Sequence, residues 1–495
     1  MTRESSLDRS MAGAVAWSAA ARWASQILSW ASTIIIARIL TPYDYGIVGM
    51  AGLYLNLALL FSQAGIADAI IALRDLTSDQ IAELNSFALL ISLLLTGLTC
   101  VLASPIAKFF ASPALTAVLL VSSTMYLFNA FQIVPRAILR KDLRFKLLAW
   151  IETVRAFLQI AATIVFALLH FRYWSFVVGF LVSSITVSVM CVYYASQPFR
   201  WPKFRRLRRE IVFSYQVMLS RIASYAYDNA DFGVAGKVLG SVPLGNYTVA
   251  WTISSAPVEK ISNLLMGVTP SYFSVLQDNK AELRRYLLRL TELLSFVTIP
   301  ASIGLAVSAP YLVPAVLGPK WIHVIGPLRL LGLFVAVRSI ATILPNLLTA
   351  IGDAQFVMWA SVASAIVMPT AFFIGSRWGT TGIAAAWAVA YPPMMVPFYV
   401  RAFRKTDLKL REYAYAVMPA LNASIIMAVA VLVTYHFLNP ASRPILNLAL
   451  IVVVGAVSYT GALFAFHYRR VVRLIDALRN MLQPRKQLAP DVPRN

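Results

Sequence analysis

The sequence predicts an all-α membrane protein of about 14 transmembrane helices: two six-helix lobes of like orientation and two further C-terminal helices. Three observations predict it. Apolar runs long enough to cross a bilayer recur along the 495 residues, of which 59% are hydrophobic and only 13% charged. Lys and Arg concentrate in alternate loops. Short signatures recur at an offset of about 200 residues, the period of a duplicated half.

A helix crosses the hydrocarbon core with about 20 apolar residues. Runs of that kind fall at 12–37, 45–67, 84–104, 115–135, 146–170, 173–196 and 212–236. They continue at 245–270, 284–309, 323–350, 355–376, 380–402, 413–438 and 445–467. The first run is longer than the apolar region of a signal peptide and reads as a true span. With the N-terminus inside, the loops on the cytoplasmic side hold roughly thirty basic residues, against about seven outside. The outside cations are Arg38, Lys108, Arg172, Lys237, Lys320, Arg377 and Arg443, one per loop. A missed helix would invert the register downstream, so the even count places both termini in the cytoplasm. The net charge of +22 follows from this bias. The cations are scattered over short loops with no recognition module, which excludes nucleic-acid binding.

The organisation that follows is an N-lobe over 1–196, a basic cytoplasmic linker over 197–211 and a C-lobe over 212–403. Helices 13 and 14 occupy 404–467, and 468–495 forms a cytoplasmic tail. The linker carries Trp201 and Phe204 among arginines, a composition suited to an anionic membrane surface. The repeat is clearest at two hairpins. Ala37-Arg38 through Pro42 to Gly46 matches Gly236-Lys237 through Pro243 to Gly245. The stretches His170–Trp174 and Ser376–Gly379 form a second such pair. An even number of spans separates the copies, so the halves are related by an axis along the membrane normal, with a central site between them.

Charge inside a membrane is costly and marks a cavity or a buried pair. Ser18, Arg22, Ser25, Ser29 and Ser32 make one stripe on span one. Arg22 reads either as an anion contact in a wet cavity or as an arginine tied to a neighbouring helix. Span seven repeats the device with Arg221, Ser224, Asp228 and Asp231, and span eight carries Glu259 and Lys260. Lys260 has the same two readings. Asp228, Asp231 and Glu259 read as members of structural ion pairs or as sites of proton or cation coupling. Span ten carries Arg338, Thr342, Asn346 and Thr349 on a stripe; Asn56 and Gln63 lie two turns apart on span two. Such amides act between helices as packing contacts or as ligands. Glu152 and Arg155, near the inner end of span five, are expected to snorkel. The glycines Gly46, Gly49 and Gly52 are expected to pack helices closely.

Soluble-enzyme signatures are absent. Cys100 and Cys191 both fall in apolar runs and imply neither a disulfide framework nor a thiolate metal site. The histidines 170, 323, 436 and 467 lie near span ends, and no zinc-protease, nucleophile-elbow or phosphate-loop pattern occurs. Without a phosphate loop, ATP is not the direct energy source of this chain, and no catalytic residue, cofactor or metal is expected.

Four motifs in order carry a resemblance to a known family. They are Ala37–Gly46, Val134–Phe145, Asp228-Asn229-Ala230-Asp231 through Gly245-Asn246-Tyr247, and Leu317-Gly318-Pro319-Lys320-Trp321. Together they resemble the oligosaccharide flippase, or polysaccharide transporter, branch of the multidrug/oligosaccharidyl-lipid/polysaccharide exporter superfamily, over the chain to about residue 405. The resemblance implies a V-shaped transporter, not an enzyme, that alternates between inward- and outward-open states. It implies a polyprenyl-diphosphate-linked oligosaccharide as substrate, moved across a bacterial inner membrane for lipopolysaccharide, exopolysaccharide or capsule assembly. Membrane lipids, a polysaccharide polymerase and chain-length machinery are the implied partners. By position it implies Arg22, Arg221 and Lys260 as contacts to the anionic head. Span two departs from some relatives in lacking a core basic residue. Two rivals stand beside this reading: a cation-coupled drug or metabolite antiporter with Asp228 and Asp231 as its sites, and a membrane polysaccharide polymerase or ligase. The latter conflicts with the shortness of every outside loop.

Overall fold

The computed structural model describes residues 31–63, 66–73, 76–203, 222, 224–266, 269–277, 279–438 and 443–482, and the regular structure among them is helical throughout. Residues 31–39 form α1. There follow α2 (Pro42–Gln63), α3 (Ile66–Ala72), α4 (Ser78–Phe109), α5 (Ala114–Lys141), α6 (Phe145–Leu168) and α7 (Trp174–Ala195). Residues 224–234 form α8, which winds into a π turn at Ala235–Leu239. The second half continues with α9 (Ser241–Met266), α10 (Thr269–Val275), α11 (Lys280–Leu312), α12 (Ile325–Ala341) and α13 (Ile343–Ala350). The chain then forms α14 (Ala354–Gly375), α15 (Gly379–Thr406), α16 (Leu410–Tyr435) and α17 (Pro444–Leu482).

The expected spans other than the first and seventh fall on these helices; residues 12–30 and 212–221 of those two lie outside the described residues. Among the described residues, 10 helical stretches are long and apolar enough to cross a membrane. One of them, Ala354–Thr406, joins α14 and α15 over 53 residues and corresponds to two expected crossings. Boundaries moved where a cap or a proline acts. Thr77 opens α4 by accepting from the Gln80 amide, while the Gln80 side chain accepts from the Thr77 amide at 2.9 Å. The expected loop 136–146 is mostly helix, since α5 runs on through Lys141. The expected span 323–350 is broken at Thr342. Pro345, four residues beyond Ala341, has no N–H to continue the ladder there.

Burial on α4 shows which solvent the helices meet. Its inward face is mostly small or polar, with Ala88, Ser92, Thr99 and Ala103 buried beside Leu95. Its outward face is large and apolar, with Leu94 71% and Val101 72% exposed. This polarity suits lipid outside and close helix approach inside. The chain is a multi-pass membrane protein.

Contacts divide the chain into two compact units. The first comprises Met1–Trp251, Val316–Pro327 and Trp359–Ala390; the second comprises Thr252–Ala315, Leu328–Met358 and Tyr391–Asn495. In the second unit α11 packs on α16 and α17, where Tyr459 donates to Phe296 O at 2.7 Å. Asp353 precedes α14 and is buried; both its oxygens accept from the Arg401 guanidinium near the end of α15, one at 2.8 Å. Arg401 also lies 4.7 Å over the Phe356 ring. Its hydrogen bonds, outweighing burial, hold the Asp353 carboxyl below its ordinary range.

Candidate functional site

The two repeated hairpins meet within the first unit, and they meet at their glycines. A Cβ on Gly46 would sit 1.8 Å from Ser241 O; one on Gly245 would sit 1.8 Å from Pro42 O and 3.0 Å from Gly46 N. Each glycine of one copy thus lies against the first turn of the other copy's helix, α2 against α9. No other residue type fits, because the clash would be with backbone. Gly240 (φ 86°) makes the turn into α9 in a conformation that glycine favours.

The basic residues of the hairpins cross in the same way. Arg38 Nε donates to Val316 O at 2.7 Å, and Lys237 Nζ donates to Phe109 O, the last residue of α4, at 2.7 Å. Each copy therefore places a cation on carbonyls at a helix end of the other half, where the partial charge is negative. Lys320 and Trp321 complete the seam. Lys320 Nζ donates to Arg38 O and Leu40 O, each at 2.7 Å, and Trp321 Nε1 donates to Ala37 O at 2.9 Å. These bonds satisfy carbonyls at the end of α1 that have no partner within the helix. Asp44, 1% exposed, accepts from the Thr41 amide at 2.9 Å and the Tyr173 amide at 3.2 Å, and Arg172 lies 3.5 Å away. Four of the seven expected outside cations are thus committed to structure.

Beside the seam, α2, α5, α7, α8 and α9 enclose a cavity of about 330 Å³. It follows α2 along Tyr45, Val48, Gly49, Gly52 and Asn56, a stripe about 16 Å long at 1.5 Å per residue. Aromatic rings from Tyr45, Phe176, Phe180, Tyr225 and Phe232 line it, with Asn56, Ser122, Asn229 and Thr248 as polar groups. Among the described residues its lining holds no Asp, Glu, Lys or Arg. Several rings are held. Tyr225 Oη donates to Leu53 O at 2.9 Å, and Tyr45 packs edge-on against Phe176 and Trp321 at 5.0 and 5.3 Å.

Asp231 stands behind this wall. It is 0% exposed; its Oδ2 accepts from Tyr247 Oη at 2.6 Å and Trp387 Nε1 at 2.9 Å, and its Oδ1 from the Phe232 amide at 2.9 Å. The carboxylate so joins α8, α9 and α15. Asp228, one turn earlier on α8, is half-buried. Arg338 is on α12 in the second unit, half-buried, 6.0 Å from the Phe334 ring. The polar stripe expected beside it bonds to its own backbone: Thr342 to Ser339 O, Asn346 to Thr342 O and Thr349 to Pro345 O, at 3.0, 2.9 and 2.8 Å.

Of the sequence-derived site residues, Asn56 lines the cavity. Arg22, Ser25 and Arg221 lie outside the described residues, as do the side chains of Gln63, Glu259 and Lys260. One expectation is corrected. Glu152 and Arg155 do not snorkel independently: Glu152 pairs with Arg136 of α5 and with Arg155 at 2.7 Å, and Arg155 also donates to Gln159 and Ser183 at 2.9 and 3.1 Å. The sixteen-residue separation of Arg136 and Glu152 hides this pair from helical periodicity. The aromatic lining was also missed. Phe176 and Phe180 fall in a continuous apolar run that carries no signal of a cavity, and the structure brings them to its wall.

A family model described as "Polysaccharide biosynthesis protein" matches residues 35–326, more than half the chain and including all four motifs in full. The chain belongs to that family. Similar curated proteins include the lipopolysaccharide biosynthesis protein WzxC of Escherichia coli, 24% identical over 82% of this chain and 85% of that protein. The succinoglycan biosynthesis transport protein ExoT of Rhizobium meliloti is 22% identical over 94% and 95%. Among solved structures, the lipid II flippase MurJ in an inward closed conformation aligns with a TM-score of 0.76 at 15% identity, over 92% of this chain and 99% of that one. An inward-facing multidrug transporter of the MATE family, of the MOP superfamily, aligns at 0.58 and 15% identity, over 80% and 95%. These likenesses show that the chain shares their fold.

Proposed function

We propose that the protein is a flippase that moves polyprenyl-diphosphate-linked oligosaccharide repeat units across a bacterial inner membrane by alternating access, both termini being cytoplasmic. The observation that carries this is the crossed seam at the first turns of α2 and α9. Two copies of one motif meet through glycine backbone, with hydrogen-bonding cations around the rim. Hydrogen bonds from Arg38, Lys237, Lys320 and Trp321 to single carbonyls break and re-form as units, as the contacts of a gate between two discrete states must. With cytoplasmic termini the seam lies on the outer side, so it closes the outward path while the inner side admits substrate. Membership of a polysaccharide biosynthesis family, and similarity to a succinoglycan biosynthesis transport protein, support a saccharide cargo.

A diphosphate crossing about 30 Å of hydrocarbon requires countercharge on the way. This reading assigns that task to Arg22, Arg221 and Lys260, with Arg338 as a further candidate in the second six-helix lobe. Coupling to protons or sodium is assigned to the carboxylates of span seven, Asp228 foremost, with Glu259 of span eight. Asp231 instead holds the cavity wall through Tyr247 and Trp387. The test is transfer of a fluorescent polyprenyl-diphosphate saccharide across proteoliposomes by the purified protein. Arg22→Ala and Arg221→Ala are expected to insert normally and to lose transfer by tenfold or more. Undiminished transfer in both overturns the assignment.

A further inference from the structure

We infer that the cavity between α2, α5, α7, α8 and α9 is a subsite for a neutral sugar ring, and that Gly52 sets the size of ring it accepts; this rests on the flippase reading above. The volume, about 330 Å³, is at the lower end of the roughly 300–1,000 Å³ of small-molecule sites. It therefore takes a small part of a lipid-linked oligosaccharide. Its chemistry excludes the diphosphate, which would have no countercharge among the described lining residues. It equally disfavours a polyprenyl tail, since Asn56, Asn229 and Thr248 would be desolvated against hydrocarbon. A pyranose has the complementary surface. Its axial C–H faces are apolar and carry the positive partial charge that an aromatic face attracts, and its rim of hydroxyls donates and accepts.

The rings are prearranged for this. Tyr225 is anchored through its hydroxyl on the Leu53 carbonyl, so its ring spans the wall at a fixed height. Phe232 is held edge-on by Tyr247 at 5.4 Å and Trp251 at 5.9 Å. Fixing the rings in advance lowers the entropy cost of stacking. The glycine stripe of α2 explains the opening. Gly46 is closed by Ser241 backbone, and a Cβ on Gly49 would come within 3.1 Å of Thr248 Oγ1. At Gly52, apart from the adjacent backbone of α2 itself, the only heavy atom of the described residues within 4 Å of a Cβ would be Asn56 Nδ2, at 3.7 Å. The third glycine is thus not a packing residue. Its missing side chain is space inside the cavity.

The experiment is equilibrium binding to the full-length protein in lipid nanodiscs. The probes are undecaprenyl diphosphate and the same lipid bearing one glucose, galactose or N-acetylglucosamine. At least one glycolipid is expected to bind about tenfold more tightly than the bare lipid, a difference of about 1.4 kcal/mol. Gly52→Leu, which fills the cavity, and Phe180→Ala, which removes a ring at its exposed edge, are each expected to erase that preference and keep bare-lipid affinity within about twofold. Equal binding of all four probes overturns the subsite and leaves the flippase reading standing. A preference that survives in both variants also overturns it. Failure of every probe to bind overturns both readings.

Discussion

At the scale of single residues, the seam makes sharp demands. Gly46→Ala or Gly245→Ala sets a methyl carbon on a backbone oxygen, so the helices must separate or unwind locally. Overpacking of this kind costs about 1–3 kcal/mol, and the cost falls on the closed seam alone. Both variants are expected to raise amide hydrogen exchange at 41–46 and 240–245 several-fold in nanodiscs; unchanged exchange would show that the glycines are not close-packed. Trp321→Phe keeps the ring but removes the donor to Ala37 O, in a position with 0% exposure. Leaving such an acceptor unsatisfied costs about 1–3 kcal/mol, read as a fall of several degrees in thermal unfolding. Asp231→Leu removes the acceptor shared by the Tyr247 hydroxyl and the Trp387 indole. It is expected to lower the melting temperature further than Trp321→Phe does, because two buried donors lose their partner at once.

At the scale of elements, the Arg401–Asp353 pair ties the entry of α14 to the exit of α15 and has a definite pH signature. The carboxyl is held below its ordinary range by the guanidinium. Its stabilising contribution is therefore complete above the unfolded value of about 3.9 and is lost as pH falls through the lower folded value. In detergent, the melting-temperature gap between the native protein and Asp353→Asn is expected to be constant above pH 5 and to close below pH 4. A gap that persists into acid would assign the effect to shape rather than charge. Helix existence was legible in the sequence because apolar runs of membrane length are unambiguous. Helix partners were not: the repeat marks Gly46 and Gly245 as equivalent positions, and only the structure sets each against the other's helix. The Arg136–Glu152 pair and the Phe176–Phe180 wall were not, since periodicity ranks faces of one helix and is silent about which helix lies opposite. Asn56 was reachable from sequence because a polar amide in an apolar run needs a partner; Phe180 in an apolar run needs none.

At the scale of the whole molecule, charge bias and the even number of expected spans make one joint prediction. A reporter fused after Lys486 is expected inside the cell, and one inserted after Arg377 outside. A single inversion would break the assignment of the seam to the outer face. The duplicated halves also explain why weak motifs carry weight together. Residues 37–46 and 317–321 are far apart in sequence, yet Lys320 and Trp321 bond directly to the carbonyls of the first. Arg38 in turn donates to Val316 O, so each stretch bonds carbonyls of the other or of its immediate neighbour.

The crossed bonds bear on how the chain is built. Arg38 waits for Val316, 278 residues later, and the Phe109 carbonyl waits for Lys237, 128 residues later. During synthesis the early helices enter the bilayer before either partner exists, so insertion precedes assembly by a large part of the chain's length. The end of α1 then carries uncapped carbonyls until the tenth crossing arrives. Two consequences follow for biogenesis. A chain truncated near residue 203 should insert but be degraded quickly. Co-expression of the remainder, residues 204–495, should rescue it, since everything the first half lacks is supplied by contacts that need no covalent link. Pulse-chase lifetimes of the half-chain, alone and with its complement, measure this directly.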